Sequence, residues 1–436
     1  MIIISKPWKE EKGEYTFAKV KLNISADTCK NWERYCAMPE NRGFTQYIDA
    51  AYTENTCGEK ELWFSVEKKF GDYLCIDRCD AFLLMFMHYA MATGSDIVCE
   101  GPVSANLLYG IRTEMIPHLC VGKFGIINVQ AEEISIPYSS SDCGATGMSC
   151  GIDSFFSLWL HQQDYIPENF RIKYFTFFNV GAINAVFPDG ISLERRNELM
   201  QQISIEKADQ ARKVADECGA ELVFVNSNIS DFYRGMLVNS AHYRNCGTAM
   251  LLSGLWNKYY YSSAGFRTDE VKFDLCDDPA YHEDMLLPWF TNGIIHFYSA
   301  GHAYPRVEKT RILADFPLAQ KYLTVCDRED NCGKCNKCKR TINTLIALNK
   351  LENFDKRFDT TAIDKNITKY KRYIFIKRHQ HYYDQIYEKA INNGRYSLSE
   401  KIKYTLESIP YEIIKNNPLY RKMRLKKYRS EIRTIK

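Results

Sequence analysis

Two rhythms of apolar and polar positions run along this chain. In the first third, short runs alternate with turns: KVKLNISAD, KELWFSVEKKF and YLCID read as extended segments. A helix follows from Asp80 to about Ala92, then the strand SDIVCEG, a helix beginning near Val103 and the extended run FGIINVQAEEISIPY. This pattern predicts an N-terminal α+β accessory domain over residues 1–140, with no catalytic constellation of its own.

From about Ser141 the rhythm becomes strand, helix, strand, helix. A short strand ends near Met148 and leads through a tight turn into the helix FFSLWLHQQ; RIKYFTFFNV is the next strand. A long helix from about Leu193 to Cys218 stops at Gly219, the usual glycine terminator. ELVFVNSN is a strand, a helix is predicted over roughly Asn245–Trp256, and KYYYSSAG and GIIHFYSAG are the last strands. The predicted fold class is α/β, a parallel sheet with helices on both faces, whose ligands belong beyond the carboxyl ends of its strands. This unit spans residues 141–349, and a helical, basic, tyrosine-rich extension fills 350–436.

Composition narrows the classes. At 436 residues, two or three packed units are expected, and 45% apolar residues mark a globular chain. A net charge of +3 is too small to make the whole molecule a nucleic-acid binder. The most apolar run, AFLLMFMHYAMATG, falls short of the roughly 20 residues that cross a bilayer, and MIIISKPWKE turns polar too early for a secretory leader. Sixteen cysteines, scattered but for one cluster, fit a reducing compartment, so a cytoplasmic location is expected. Only the tail is strongly charged. Arg421, Lys422, Arg424, Lys426, Lys427 and Arg429 make a cationic segment beside Leu419, Met423 and Leu425, suited to RNA, a membrane surface or an acidic partner, or simply to solvent.

Two motifs carry chemistry. The first is Ser149-Cys150-Gly151-Ile152-Asp153-Ser154, at a strand-to-helix junction. A helix N-terminus offers unpaired N–H groups and partial positive charge to an anion. Gly151 admits a phosphate to the backbone, Ser149 and Ser154 add hydroxyls, and Asp153 caps the helix or helps hold magnesium. No Gly-Lys-Ser/Thr follows, so this is not a Walker A loop. Positive partners for the phosphates are sought in HYRNCGTAM, where Arg244, Asn245 and Gly247 stand at an expected helix start, and in VEKTRI, where Lys309 and Arg311 stand near a strand-like segment. The second motif is Cys326, Cys332, Cys335 and Cys338. Its two overlapping Cys-x-x-Cys steps suit a closed four-thiolate zinc site, with an iron–sulfur cluster as the rival.

The loop resembles the SGGxDS signature of the PP-loop ATP pyrophosphatases, with Cys150 where the family has its first glycine. Loop and cysteine knuckle, in this order over about residues 141–348, resemble the cyano-deazaguanine synthase family of queuosine biosynthesis and its relatives. The resemblance implies a PP-loop fold and cleavage of ATP, with magnesium, to AMP and pyrophosphate. It makes the knuckle a structural Zn²⁺ site. It implies catalytic roles for Asp153, Ser154, Lys309 and Arg311, and ATP contacts at Ser149–Ser154, Arg244, Asn245 and Gly247. Asn179, at the end of the second strand, would lie where relatives contact adenine. The acceptor would be a carboxylate or carbonyl compound, attacked after adenylation by ammonia or an amine. The alternatives are thiolation of a nucleobase through Cys143, Cys150, Cys246 or Cys276, and a non-catalytic nucleotide-binding module. His282 and Glu283 are further candidates for acid–base or substrate-binding work.

Overall fold

The computed structural model describes residues 1–38, 56–120, 124–135, 141–181, 191–233, 238–264, 279–326, 330–380, 382–414, 417, 419 and 423. The basic residues Arg421–Arg429 and Cys276 lie outside these described residues. The chain divides into two compact units: 1–148, 160–183 and 187–303 form the first, and 149–159, 184–186 and 304–436 the second.

The first unit is built on an eleven-stranded sheet. Its strands are β1 (Ile2–Ile4), β2 (Trp8–Lys12), β3 (Tyr15–Ile24), β4 (Gly58–Glu67), β5 (Ile97–Cys99), β7 (Val129–Gln130), β9 (Gly144–Gly147), β10 (Ile172–Asn179), β11 (Glu221–Ser227), β12 (Lys258–Ser262) and β13 (His296–Ala300); β6 (Val103–Ser104) and β8 (Glu133–Ile134) pair separately. The order is β13-β12-β9-β10-β11-β4-β3-β1-β5-β7, with β2 alongside β3. Pairing is parallel from β13 to β11, antiparallel through β4, β3 and β1, and parallel again to β5 and β7. The mostly parallel α/β sheet is thus as the strand–helix alternation predicts. What periodicity did not show is that strands from both sides of residue 140 share one sheet.

Within the parallel part the chain goes from β9 to β10 and β11 on one side, then returns to β12 and β13 on the other. That reversal places a topological switch between β9 and β12, where ligands of open α/β sheets bind. The strands are apolar enough for burial on both faces: Leu222, Val223 and Val225 of β11 are all buried.

Helices α2 (Asp80–Thr93) and α4 (Leu193–Cys218) pack on the sheet, and α1 (Ala26–Ala37) and α5 (Ala241–Leu251) pack on α2. Helix α2 is apolar on every side and buried nearly throughout, and no helix among the described residues is long and apolar enough to cross a membrane. Asp80 begins it and accepts hydrogen bonds from Ser104 and Asn292. Helix α4 runs from the Ser192 cap to Gly219 in the left-handed conformation, as the sequence predicts. YLCID is not a strand: a 3₁₀ turn over Lys68–Tyr73 precedes it and the segment continues as loop. Cys29 and Cys57 form a disulfide, so not every cysteine is a free thiol.

The second unit is helical. It begins with the loop after β9 and most of α3 (Ile152–His161), and continues with α6 (Arg306–Leu313), α7 (Pro317–Tyr322), α8 (Asn336–Leu348), α9 (Thr360–Asp364), α10 (Ile367–Lys377), α11 (Tyr383–Asn392) and α12 (Leu398–Ile414). One of its apolar clusters joins Val307, Ala347, Ile374, Phe375, Ile386 and Tyr404.

Candidate functional site

The chain leaves the carboxyl end of β9 at Gly147 and enters the Ser149–Ser154 loop. The first helical bond of α3 runs from the Phe155 N–H to the Gly151 carbonyl at 3.1 Å. The N–H groups of Ile152, Asp153 and Ser154 therefore have no acceptor inside the helix. A side chain built at Gly151 would meet only Ser149 Oγ, at 3.4 Å, so no packing constraint demands a glycine there. Ser149 Oγ donates to Ser154 Oγ at 3.4 Å and Ser154 Oγ to the Gly151 carbonyl at 3.1 Å.

Cys150 has φ 57°, in the left-handed region that glycine occupies without penalty. The loop thus holds a non-glycine residue in a conformation that glycine favours. The Cys150 carbonyl accepts from the Thr324 N–H at 2.8 Å, which ties the loop to the approach of the cysteine knuckle.

Asp153 meets two cations on α6. The Arg306 guanidinium donates to Oδ2, and Lys309 Nζ, fully buried, lies 3.5 Å from Oδ1. Burial pushes the Asp153 carboxyl up, but the charges of Arg306, Lys309 and Arg340 outweigh it and hold the group below the ordinary aspartate value. Arg340 belongs to α8 and is pushed down to about 10 by burial, reinforced by Arg306. Arg306 and Arg340 lie over the same ring, that of Tyr382, at 5.1 and 4.8 Å from its centroid.

Lys309 and Arg311 are expected together as phosphate partners near a strand-like segment. The segment is a helix, and its spacing instead sets Lys309 beside Arg306, three residues earlier, toward Asp153. Arg311 pairs with Glu308 at 2.5 Å and is half exposed. The sequence reading brings none of Arg306, Arg340 and Tyr382 to Asp153; a 3.6-residue period over 306–313 is the signal for the first. Both oxygens of Asp153 thus face cations of α6, and Oδ1 makes no hydrogen bond.

The remaining expected contacts lie in the first unit. Asn179 donates to Asn226 at 2.6 Å, joining the ends of β10 and β11. Helix α5 begins at Ala241, four residues before the expected start, so Arg244, Asn245 and Gly247 stand within it. Arg244 is buried, donates from Nε to Ser240 Oγ at 2.9 Å and lies over the Tyr233 ring. Asn245 donates back to the Ala241 carbonyl. Gly247 has a packing reason: a Cβ there would sit 2.4 Å from Met85 Cγ and 2.8 Å from the Ala81 carbonyl of α2. Glu283 is buried, with His242 Nε2 2.9 Å from one oxygen and the Ser299 hydroxyl 2.7 Å from the other, while His282 immediately precedes the short helix Glu283–Leu286. His242 opens HYRNCGTAM but is given no role by the sequence reading, because its partner Glu283 is 41 positions away. Cys143 and Cys246 are buried, and burial raises both thiols above the ordinary value, the reverse of what a sulfur carrier requires.

No family model, curated protein or solved structure matches the chain.

The four knuckle sulfurs lie within 4.8 Å of one another. Cys326–Cys335 and Cys332–Cys338 are separated by 3.8 and 4.0 Å. Four thiolates around one zinc at about 2.3 Å would stand roughly 3.8 Å apart, so donors and spacing fit a single tetrahedral ion. The turn that achieves this needs Gly333 at φ 67°. The Cys335 N–H points to Cys332 Sγ at 3.3 Å, and Cys335 Sγ caps α8 by accepting from the Cys338 N–H at 3.4 Å.

Proposed function

We propose that this protein is an ATP-dependent adenylating enzyme of the PP-loop type, which splits ATP into AMP and pyrophosphate to activate a carboxylate or carbonyl acceptor. The observation that carries this reading is the SCGIDS loop at a strand-to-helix junction, its Asp153 bound to Arg306 and Lys309. In this reading the N–H groups at the start of α3 and the hydroxyls of Ser149 and Ser154 bind the phosphates. The acceptor oxygen attacks the α-phosphorus as the bond to the bridging oxygen breaks. Arg306 and Lys309 stabilise the charge that gathers on departing pyrophosphate, and Asp153 holds both cations in position. Ammonia or an amine then displaces AMP from the activated carbon. Charge neutralisation is assigned to these side chains, with magnesium carried in on ATP.

The four cysteines fit structural zinc, with no open ligand position; zinc would fix the turn from which α8 starts. The test is release of AMP and pyrophosphate from ATP over a panel of carboxylate acceptors. Asp153→Ala should abolish release with the fold retained. Unchanged AMP production in that variant, or ATP binding without AMP from any acceptor, would end the assignment.

A further inference from the structure

Helix α12 is mounted with its aliphatic side outward. Tyr404 and Ser408 are its buried residues, Tyr404 lying against the rings of Phe375 and Tyr396. Glu400 and Glu407 are drawn to Lys371 and Arg372 of α10, which fixes the rotation of the helix about its axis. Leu398, Ile402, Leu406 and Ile409 are left facing solvent, 75, 58, 63 and 51% exposed. Their spacing of four, four and three sets them in one stripe. An ordinary surface helix turns such a stripe to the core. Of the described side chains of α12, Lys403 is the only exposed charged one. The outward face is therefore aliphatic and cationic. Beyond the helix, Leu419 and Met423, four positions apart, are 72 and 70% exposed, and residues 421–436 carry eight Lys or Arg against one Glu.

We propose that the outward face of α12, with the basic segment that follows it, docks the protein on an anionic phospholipid surface. An interfacial helix lies in the plane of the bilayer, with its aliphatic side chains at the boundary of headgroups and acyl chains. Lys403 can reach back to the headgroups along its own methylene stem. Lysines and arginines near such a surface are each worth about 1 kcal/mol of attraction to anionic lipid, so stripe and basic segment act together. A second copy of the chain is a poorer occupant, because self-pairing sets like charge against like. RNA is poorer too: it stacks on aromatic rings and guanidinium planes, which this stripe lacks. The inference concerns where the protein works and is independent of ATP cleavage.

The experiment is co-sedimentation of the full-length protein with vesicles of phosphatidylcholine alone, and of phosphatidylcholine mixed with phosphatidylglycerol. Wild-type protein should bind the anionic vesicles at least about tenfold more tightly than the neutral ones, and added salt should weaken that binding. Ile402→Glu combined with Leu406→Glu should weaken it by about tenfold or more, with the melting temperature unchanged because both side chains face solvent. Equal binding to both vesicle types, or binding to neither, would overturn the proposal in the wild-type protein alone, even if the variant fails to fold. So would a folded double variant that binds anionic vesicles as tightly as wild type. A wild-type dimer in sedimentation velocity that the double variant dissolves would assign the stripe to a second copy of the chain and overturn the membrane reading.

Discussion

Replacing Asp153 by Asn tests the electrostatics of the loop through stability, independently of any substrate. The change keeps shape and removes the carboxylate charge facing Arg306, Lys309 and Arg340. Breaking a fully buried ion pair costs about 3–5 kcal/mol. Here the Asp153 and Arg306 side chains are 21% and 18% exposed, so solvent screening reduces the expected loss to about 1–3 kcal/mol. For a unit of this size that corresponds to a fall in melting temperature of roughly 2–12 °C. The pH dependence follows from the depressed folded-state pKa. A carboxyl whose pKa lies lower in the folded than in the unfolded chain stabilises the fold above its unfolded value, 3.8, and loses that contribution as pH falls through the folded value. Wild type and Asp153→Asn should therefore differ fully at pH 6–7 and converge below pH 3.8. Added pyrophosphate should restore part of the variant's stability, because an anion then meets the cations Asp153 had balanced. Thermal melts across this pH range give the answer. A variant as stable as wild type at pH 7, or a difference that persists unchanged into acid, would refute the assigned ion pairs.

Cys335→Ser should abolish a stoichiometry of one metal per chain, measured by elemental analysis, and destabilise α8, whose cap that sulfur supplies; iron with sulfide in the wild type would replace zinc by a cluster. Gly247→Ala should lower stability by about 1–2 kcal/mol in denaturant melts, since overpacking against Met85 outweighs the gain in helix propensity, and should leave the Michaelis constant for ATP unchanged. Cys150→Gly should shift stability by less than about 1 kcal/mol, because relief of the left-handed backbone offsets lost burial and added chain entropy; AMP formation should persist, and its disappearance would give the thiol a chemical role.

What could be read from sequence follows the range of the interaction. The loop at Ser149, the course of α4 and the cysteine knuckle depend on neighbours a few residues apart, and spacing reveals them. Arg306 reaches Asp153 from 153 positions away, and only the correct period over 306–313 would have selected it over Arg311. Arg340 and Tyr382 carry no local signature. Gly247 read as a ligand-facing glycine because its true contact, Met85, is remote in the chain. The joining of β4 to β11 was likewise invisible, since each strand is complete in its own pattern and pairing leaves no periodic trace.

That junction governs how the molecule must be assembled and handled. Asn226 and Ser227 pair with Ser65 and Phe64, and the seam is locked by side chains: Asn228 Oδ1 accepts from the Trp63 N–H at 3.0 Å, 165 positions away, and the Ser227 hydroxyl donates to the Trp63 carbonyl. Closing so long a loop costs about 4.5 kcal/mol of chain entropy beyond a constant, so this pairing forms late and slowly. During synthesis, the outer edge of β4 stays bare until residues near 228 have emerged. A fragment cut near residue 140 would keep that edge permanently uncovered, and an uncovered strand edge recruits other strands. Expression of such a fragment should yield aggregates, whereas one that carries the chain through β13 retains the β4–β11 seam.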